Sequence, residues 1–509
     1  MAEPSEKLAD SLKNLKKIQD NERVAIRSKD LTRTHRERLL KNGFLQEVIK
    51  GWYIPSSPED KMGESTAWYA AFWPFIADYL NEKYGEQWLL SPEQSLLFHA
   101  GNETVPKQLL VKTPKGSNNT INLLHGTSII DTRLPIADKN DLTDHRGLRV
   151  YKTEAALIAA APNFFETYAM DARAILASVA DSSAILSRLL AGGHTAIAGR
   201  LAGAFRNIGR DRIADDIVKS MKAADYDVRE KDPFNNQIVM GNPDRPVSPY
   251  INRIRMMWHS MRKDIIGIFP APPRSNDIEA YLKDVSDIYV TDAYHSLSIE
   301  GYRVSEELIE KVREGNWNPD AIKADQDHKD ALAARGYHEA FEEVKKSLEV
   351  VLRGENSGKV ADNVHGDWYR SLFAPSVAAG ILKASDLAGY RNIPVYIRSS
   401  RHTPPSPDAI REALPAFFEL LSEEADPAVR VVLGHFIFVY IHPYIDGNGR
   451  MGRFLMNLML AGGGYPWTVI TVDNRTAYME ALEAASVEEN ITPFAAFLAE
   501  QVKQRMAEK

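Results

Sequence analysis

The sequence of 509 residues contains no cysteine. This absence excludes disulfides, zinc–thiolate sites, iron–sulfur clusters and thiol nucleophiles. Long apolar runs are missing too: the longest, residues 431–441, is interrupted by His435 and is far shorter than the ~20 residues that a membrane-spanning helix needs. The first ten residues also lack the apolar core of a secretory signal. We therefore expect a cytoplasmic protein that does not contact a membrane.

An excess of positive charge is a third feature that the sequence lacks. There are 62 Lys and Arg against 69 Asp and Glu, a net charge of −7. The molecule as a whole therefore does not attract polyanions, and any contact with nucleic acid must be local. Hydrophobic residues make up 44% of the chain, which is enough for folded cores, and the length corresponds to about three or four domains.

Breaks in composition divide the chain into four parts. Proline, glycine and asparagine are concentrated between residues 231 and 275, which predicts a connecting segment. Before it we expect a small domain over 1–60 and a domain over 61–230 that begins as mixed α/β and ends as helices. After it we expect a helical domain over 276–509. The predicted fold is mainly α, with a mixed α/β N-terminal region.

The first 50 residues carry a local net charge of +4, from 12 basic and 8 acidic side chains. Ser28 or Asp30 is a suitable cap for a helix that ends near Asn42, and Gly51 lies in a suitable turn between two short strands. This order of helix and hairpin is typical of a winged helix-turn-helix. It resembles the N-terminal module of AbiEi-type antitoxin regulators.

The resemblance allows two uses of this module, and the sequence leaves both open. In the first, basic side chains such as Arg33, Arg36 and Arg38 face the phosphates of DNA. In the second, the same helix is a solvated basic surface on a module that docks to protein.

The strongest local pattern is residues 442–453, which read His-Pro-Tyr-Ile-Asp-Gly-Asn-Gly-Arg-Met-Gly-Arg. Apolar residues before and after it have helical spacing, so the pattern predicts a loop that leads into the N-terminus of a helix. Backbone N–H groups and the positive end of the helix dipole make such a position an anion site. Gly447 and Gly449, on either side of Asn448, let the N–H groups of the loop turn inward.

Charged side chains complete a predicted polyphosphate site. Arg450 and Arg453 are three residues apart, which places both guanidinium groups beside one helical turn, where they can bind phosphate oxygens. Asp446 is the acidic group of the loop, and we expect it to bind Mg²⁺ together with the phosphates and water. His442 titrates near neutral pH and is the expected general base for a hydroxyl. The alternative is a structural histidine followed by an ordinary turn.

At these residues the sequence resembles the Fic family, whose signature is His-x-Phe-x-Asp/Glu-Gly-Asn-Gly/Lys-Arg-x-x-Arg. Tyr444 replaces the usual phenylalanine. The resemblance implies an all-helical Fic domain that transfers AMP from ATP to a hydroxyl side chain of a protein, with His442 as the base. It further implies that Asn448 and the loop amides bind the α- and β-phosphates. Arg450 and Arg453 would then bind the β- and γ-phosphates.

Two further stretches extend the resemblance to residues 280–505. Residues 389–397 and 402–405 resemble the family's flap, a β-hairpin whose edge aligns a segment of the target protein. An ordinary hairpin and proline-rich loop is the alternative. Residues 475–478 resemble the segment that closes the fold, which implies that Tyr478 borders the adenine, with packing in the core as the alternative.

A second pattern, Ser296-x-x-x-Glu300-Gly301, matches the Ser/Thr-x-x-x-Glu-Gly/Asn inhibitory motif of many Fic proteins. We expect it on an inhibitory helix near 291–301. The resemblance implies that Glu300 forms an ion pair with Arg453, which keeps that arginine from holding the γ-phosphate and leaves ATP misaligned for attack.

The sequence therefore predicts a protein adenylyltransferase that uses ATP and Mg²⁺, modifies an unknown protein target and itself, and is inhibited by Glu300. The oligomeric state stays open, including a homodimer. The alternative function is a DNA-binding autoregulator of toxin–antitoxin type, whose Fic domain senses a nucleotide. Relatives that transfer UMP, phosphocholine or phosphate share the phosphate anchors, so ATP is the expected donor by default.

Overall fold

The computed structural model describes residues 3–20, 23–58, 65–235, 248–273, 277–316 and 325–508. The chain divides into two compact units, the first formed by residues 1–253 and 396–403 and the second by residues 254–395 and 404–509. The predicted connecting segment, 231–275, lies partly outside the described residues. The four predicted domain ranges stay predictions.

The first unit combines helices with three small sheets. Its helices are α1 Pro4–Gln19, α2 Arg33–Lys41, α3 Thr66–Tyr84, α4 Pro92–His99, α5 Thr153–Ala159, α6 Phe164–Thr167, α7 Ala169–Ser178, α8 Ser183–Gly192, α9 Thr195–Asn207 and α10 Asp211–Ala223. Its strands are β1 Ile26–Arg27, β2 Leu45–Ile49, β3 Trp52–Pro55, β4 Leu89–Leu90, β5 Gln108–Thr113, β6 Thr120–Asn122, β7 Ser128–Arg133, β8 Leu142–His145 and β9 Leu148–Tyr151. The sheet orders are β1-β3-β2, β4-β5-β7-β6 and β8-β9, and β5 pairs with β7 in parallel. The N-terminal region is therefore mixed α/β, as predicted.

The apolar core of the first unit is built around α3. Trp68, Phe72 and Phe75 are fully buried on this helix, and edge-on ring contacts join the indole to both phenylalanines. Burial of each large side chain contributes about 1.5–3 kcal/mol to folding. Val111 of β5 and Ile129 of β7 pack into the same core, so the helix and the parallel strands stabilise each other.

No single helix in the described part of the chain is long and apolar enough to cross a membrane. The bent pair of α7 and α8 meets the same test of length and composition when the two are taken together.

The N-terminal residues contain the predicted helix and hairpin. Helix α2 begins after Thr32, whose hydroxyl accepts a backbone hydrogen bond from the first turn. The cap is therefore neither Ser28 nor Asp30, because the carboxylate of Asp30 is bound to the backbone and guanidinium of Arg27. Strands β2 and β3 pair antiparallel across a turn in which Gly51 has a φ of 84°. The assignment of a winged helix stays a prediction.

The three arginines predicted to face DNA all have partners within the chain. Arg33 forms an ion pair with a glutamate one turn along α2. Arg36 donates to the carbonyl of Ser28 at 2.8 Å, and Arg38 donates to the carbonyl of Lys7 on α1 at 2.8 Å. Two of the three side chains therefore hold α2 to neighbouring segments of this unit.

The second unit contains helices and loops and no strand in its described residues. Its helices are α12 Ile278–Ile299, α13 Glu306–Arg313, α14 Asp325–Leu352, α15 Ser357–Ala378, α16 Pro407–Glu423, α17 Pro427–Ile441, α18 Asn448–Gly462, α19 Arg475–Val487 and α20 Thr492–Ala507. Helix α11, Pro249–Arg262, begins in the first unit and ends in this one. The all-helical architecture predicted for the C-terminal domain is confirmed.

Helices α17 and α18 are almost wholly buried and pack against each other. Asp426 begins α17, because its carboxylate accepts the N–H groups of Ala428 and Val429. Gly452 lets the two helices approach closely: a Cβ at this position would lie 2.8 Å from a methyl carbon of Val439. This close packing fixes the ends of the loop that joins the helices.

The β-hairpin flap predicted over 389–397 and 402–405 does not form, because the chain from 389 to 405 contains no strand. Within the predicted flap, the backbone N–H of Arg391 donates to the carbonyl of Pro443 at 2.9 Å. The residues between its two predicted parts also have partners elsewhere. In the first unit, the Ser399 N–H donates to the Thr66 hydroxyl at 2.9 Å, and the carbonyl of Arg401 accepts from Val105 at 2.9 Å. Prolines at three positions of the stretch further remove N–H groups that a hairpin ladder needs.

Candidate active site

Two residues in the left-handed conformation define the backbone of the loop between α17 and α18. Helix α17 ends at Ile441, and His442 follows with a φ of 53°. Gly447 has a φ of 79° and begins α18. A Cβ at Gly447 would lie 2.8 Å from the ring of Phe373, so this position has room only for glycine. The N-terminus of α18 therefore faces the space beside the loop.

Asn448 closes the loop with its side chain. Its amide group donates to the carbonyl of Tyr444 at 2.9 Å, and its side-chain oxygen accepts from the backbone N–H of Tyr444 at 2.9 Å. Asn448 is 1% exposed. Its side chain therefore shapes the loop, whereas its backbone N–H lies at the start of α18, where helix amides bind anions.

His442 is held in its neutral form. Its Nδ1 lies 3.0 Å from the carbonyl of Val439. A carbonyl only accepts, so this nitrogen carries the proton and Nε2 keeps a free lone pair. Burial lowers the pKa of His442 to about 4; the bond to Val439 opposes the shift, and the positive charge of Arg391 adds to it. The imidazole is therefore neutral at physiological pH.

The low pKa predicts the pH dependence of any reaction in which His442 accepts a proton. A histidine of ordinary pKa, ~6.5, loses its function as a base below that pH. With a pKa near 4, His442 stays neutral down to about pH 5. We expect kcat of an active form, measured at saturating MgATP, to show no loss from His442 between pH 8 and pH 5. An acid limb centred near pH 6.5 would contradict this assignment.

Glu300 lies at the N-terminus of α18 and binds Arg453. Its Oε1 accepts a hydrogen bond from Arg453 Nη2 at 2.7 Å. Ser296 binds the same guanidinium: its hydroxyl accepts from Nε at 2.8 Å, and its carbonyl accepts from Nη2 at 3.0 Å. A Cβ on Gly449 would lie 2.2 Å from Glu300 Oε1. The carboxylate therefore rests on the first turn of α18, in the position that suits a phosphate.

Helix α12 delivers Glu300 to this position. It runs from Ile278 to Ile299, longer than the predicted 291–301, and Glu300 is its C-cap. Gly301 follows with a φ of 91°, and the N–H groups of Gly301 and Tyr302 donate to the carbonyls two and three residues before the cap. This is the Schellman end of a helix, which requires a left-handed residue after the cap. The glycine of the pattern is thus explained by geometry.

Both arginines of the loop are buried. Arg453 is 4% exposed and Arg450 is 1% exposed. Burial alone lowers the pKa of Arg453, but the charge and hydrogen bond of Glu300, together with Tyr478 and Tyr337, raise it overall. Both guanidinium groups therefore stay charged, and a carboxylate already occupies one of them.

Arg450 is held between two aromatic rings. Its guanidinium carbon lies 5.2 Å from the ring centre of Tyr302 and 5.1 Å from that of Phe373, distances at which a cation is attracted to the ring face. Asp446 accepts from Arg450 Nη2 at 3.4 Å. Tyr302 was not predicted from the sequence; it follows the inhibitory pattern directly and contacts Arg450.

Asp446 fits the predicted Mg²⁺ site as one ligand among several. Its side chain is 64% exposed at the mouth of the loop, with Oδ1 2.6 Å from the Gly447 N–H. Within the described ranges no group of three His, Asp or Glu side chains could hold a metal ion by itself. Magnesium accepts a single carboxylate when phosphate oxygens and water complete its shell, so Asp446 suits an ion that arrives with a nucleotide.

Tyr478 lies in the core in this structure. It is 2% exposed, and its hydroxyl is 2.7 Å from Nε2 of His435, whose Nδ1 bonds the carbonyl of Gly452 at 2.8 Å. The ring of Phe494 packs against both. Tyr478 therefore stabilises α18 through His435 and Gly452. Its contact with adenine stays a prediction.

A buried acid beneath the ion pair was not predicted from the sequence. Asp292 lies two turns before Glu300 on α12 and accepts from the Tyr337 hydroxyl at 2.6 Å and the Trp467 indole at 3.2 Å. Burial raises its pKa to about 6, although both bonds oppose the shift. The i, i+4, i+8 spacing with Ser296 and Glu300 is the signal that would have placed the three on one helix face.

The comparisons with known proteins agree with this geometry. Residues 367–460 match the model of the Fic/DOC family. The chain is similar to a protein named "Protein adenylyltransferase Fic" from Nematostella vectensis, 29% identical over 236 residues, which are 46% of this chain and 50% of that protein. A protein of the same name from Drosophila willistoni is 36% identical over 115 residues, 22% of each chain. The chain spans half or less of the length of these curated relatives.

Among solved structures, Fic-1 (aa134 - 508) from C. elegans covers 64% of this chain and 90% of its own, with 20% sequence identity and a TM-score of 0.37. A TM-score of this size does not establish that the two whole folds correspond. The family match instead coincides with the described site, because residues 442–453 lie inside the matched range. The similarity to the Fic/DOC family model, over residues 367–460, therefore covers the segment that contains this loop.

Proposed function

We propose that this chain is a protein adenylyltransferase, which transfers AMP from ATP to a hydroxyl side chain of a protein and is inhibited by its own Glu300. One observation carries the proposal: a neutral histidine and two buried arginines surround one helix N-terminus, and a carboxylate of the same chain occupies one of the arginines. The names of the curated relatives support the same activity.

The residues of the loop would divide the reaction between them. Nε2 of His442 accepts the proton of the target hydroxyl, and the oxygen then attacks the α-phosphorus. The bond from the α-phosphorus to the bridging oxygen breaks, and pyrophosphate leaves. The first amides of α18 and Arg450 hold the phosphates in line, and Arg453 takes the γ-phosphate once Glu300 has left. Mg²⁺ bound through Asp446 would neutralise phosphate charge.

The position of the isotope in ATP tests the reaction class. The Glu300→Gly variant is incubated with ATP that carries ³²P at either the α- or the γ-phosphate, and protein labelling is followed on the chain itself and on a lysate. AMP transfer predicts protein labelling from α-labelled ATP alone. Labelling from γ-labelled ATP would instead indicate transfer of phosphate, and labelling from α-labelled UTP in preference to ATP would indicate transfer of UMP.

Ser296 should contribute to the inhibition less than Glu300 does. Ser296→Ala removes the hydroxyl that accepts from Arg453 Nε at 2.8 Å but keeps the carbonyl that accepts from Nη2. A hydrogen bond to a charged group is worth about 1.5–3 kcal/mol, part of which water replaces. We expect Ser296→Ala to raise AMP transfer by up to about tenfold, measured with α-labelled ATP. Activity equal to wild type would show that Ser296 has no part in the inhibition.

A further inference from the structure

Arg391 is a buried cation that donates to four backbone carbonyls. It is 1% exposed. Its guanidinium donates to the carbonyls of Ile393 at 3.1 Å, Pro405 at 2.5 Å, His442 at 2.7 Å and Ile441 at 3.4 Å. A buried guanidinium is costly unless its N–H groups are paired. This arginine is therefore held in place by the segments that it joins.

Three of the hydrogen bonds of Arg391 converge on the residues around the proposed base. Besides the carbonyls of Ile441 and His442, the carbonyl of Pro443 accepts from the backbone N–H of Arg391 at 2.9 Å. The last carbonyls of a helix have no partner within it, and a cation at a helix C-terminus is favourable. Arg391 meets both needs at the end of α17, where the chain turns left-handed.

We propose that Arg391 is a positioning residue for the proposed AMP transfer, because it fixes the backbone of His442 between α17 and the loop. This inference rests on the proposed function. Arg391 touches no reacting atom in the proposed reaction. It acts through His442 in two ways: its bonds hold the left-handed turn that places the imidazole, and its charge disfavours the imidazolium form.

The charged groups around His442 predict the direction in which its pKa should change when Arg391 is replaced. Arg391 lowers the pKa of His442, whereas Glu300 and Asp446 raise it. Loss of the guanidinium charge should therefore raise the pKa of His442. A residue with only a structural role would change the stability of the fold without this shift.

Arg430 offers a matched control at the other end of the same helix. Its guanidinium also donates to a backbone carbonyl, from Nε to Glu424 at 3.1 Å, and to the Ser357 hydroxyl at 3.1 Å. Arg430→Met therefore removes comparable bonds from the same unit without touching His442. Any effect common to both substitutions belongs to stability, and any effect confined to Arg391 belongs to the base.

The test compares Arg391→Met, Arg391→Lys and Arg430→Met in the full-length Glu300→Gly chain. A displacement of about 1 Å at a reacting group can cost on the order of 10²-fold in rate, so we expect Arg391→Met to lower kcat by that factor. ATP affinity, measured by calorimetry, should not change, because the phosphate anchors are intact. Arg391→Lys keeps the positive charge but lacks the planar set of N–H donors of the guanidinium (the fork), so we expect its kcat to lie between those of Arg391→Met and the parent.

The pKa of His442 is measured in the same variants by NMR of isotope-labelled histidine, with the signal assigned by its loss in His442→Ala. We expect an upward shift of about one unit in Arg391→Met, and none in Arg391→Lys or Arg430→Met. The proposal is overturned if Arg391→Met lowers the melting temperature alone, or if Arg430→Met changes kcat and the pKa equally. If Arg391→Met does not fold, Arg391→Lys decides: wild-type kcat would overturn the role of the fork.

The two proposals can fail separately. If the Glu300→Gly parent transfers no AMP from α-labelled ATP, the proposed function fails, whatever Arg391 does. The NMR titration would still show whether Arg391 controls the pKa of His442. If the parent is active and Arg391→Met retains both kcat and the pKa, the positioning role alone fails.

Discussion

Replacing His442 with alanine should reduce AMP transfer by about 10²–10⁴-fold, the usual contribution of a positioned general base. The reason is local: the bond from Nδ1 to Val439 leaves Nε2 as the one free lone pair of the ring, and burial keeps it unprotonated. The measurement is the rate of label transfer from α-labelled ATP in the Glu300→Gly background, where the proposed inhibition is absent.

Binding and folding must be separated from catalysis in this experiment. Affinity for MgATP should change little, because the amides of α18 and the two arginines remain. His338→Ala is a suitable control, since it removes an imidazole of α14 in the same unit, outside the loop. If His442→Ala retained full transfer while His338→Ala behaved like the parent, the base would have to be another group.

Replacing Glu300 with glycine should raise AMP transfer by about 10–100-fold over wild type. The substitution removes the 2.7 Å bond to Arg453 and clears the carboxylate from the first turn of α18. A charged hydrogen bond of about 1.5–3 kcal/mol corresponds to this range of equilibrium constants. We expect the gain in both self-modification and labelling of lysate proteins.

Glu300→Gln separates charge from shape. The amide oxygen can still accept from Arg453, but the ion pair is gone, so we expect activity between wild type and Glu300→Gly. Calorimetry should show that MgATP binds more tightly to Glu300→Gly, because Arg453 is then available to the γ-phosphate. Equal transfer by wild type and Glu300→Gly would contradict the inhibitory role.

The local chemistry of the loop could be predicted from the sequence, because it depends on adjacent residues. Glycines at 447 and 449 and arginines at 450 and 453 lie at the N-cap and in the first two turns of one helix, so sequence spacing specifies their arrangement. The contact between Glu300 and Arg453 joins positions 153 residues apart. It was predicted because the inhibitory pattern resembles that of many Fic proteins, and the structure shows the ion pair.

Contacts between distant segments without a pattern could not be predicted. Arg391 reads as one residue of a loop, and nothing local indicates that His442 and Pro405 supply its acceptors. The hairpin flap failed for the same reason, since the backbone N–H of Arg391 donates to the carbonyl of Pro443, far later in the chain. Tertiary hydrogen bonds outweighed the local preference for strands.

The DNA-binding alternative stays a prediction, and two of the arginines proposed for it have partners within the chain that the sequence did not indicate. Arg36 and Arg38 hold α2 to Ser28 and to α1, as the fold shows. Basic side chains in a sequence can form a surface that binds phosphates, or they can form hydrogen bonds within the chain. The order of helix and hairpin was correct, because short turns with glycine specify it locally.

The most direct test of the account is the intact mass of the full-length chain after incubation with MgATP and a lysate fraction. Wild type, Glu300→Gly and the double variant Glu300→Gly/His442→Ala are compared. We expect a gain of one AMP on the chain or on a lysate protein with Glu300→Gly, and little or none with the other two. No adduct with Glu300→Gly, in samples that demonstrably bind ATP, would contradict it.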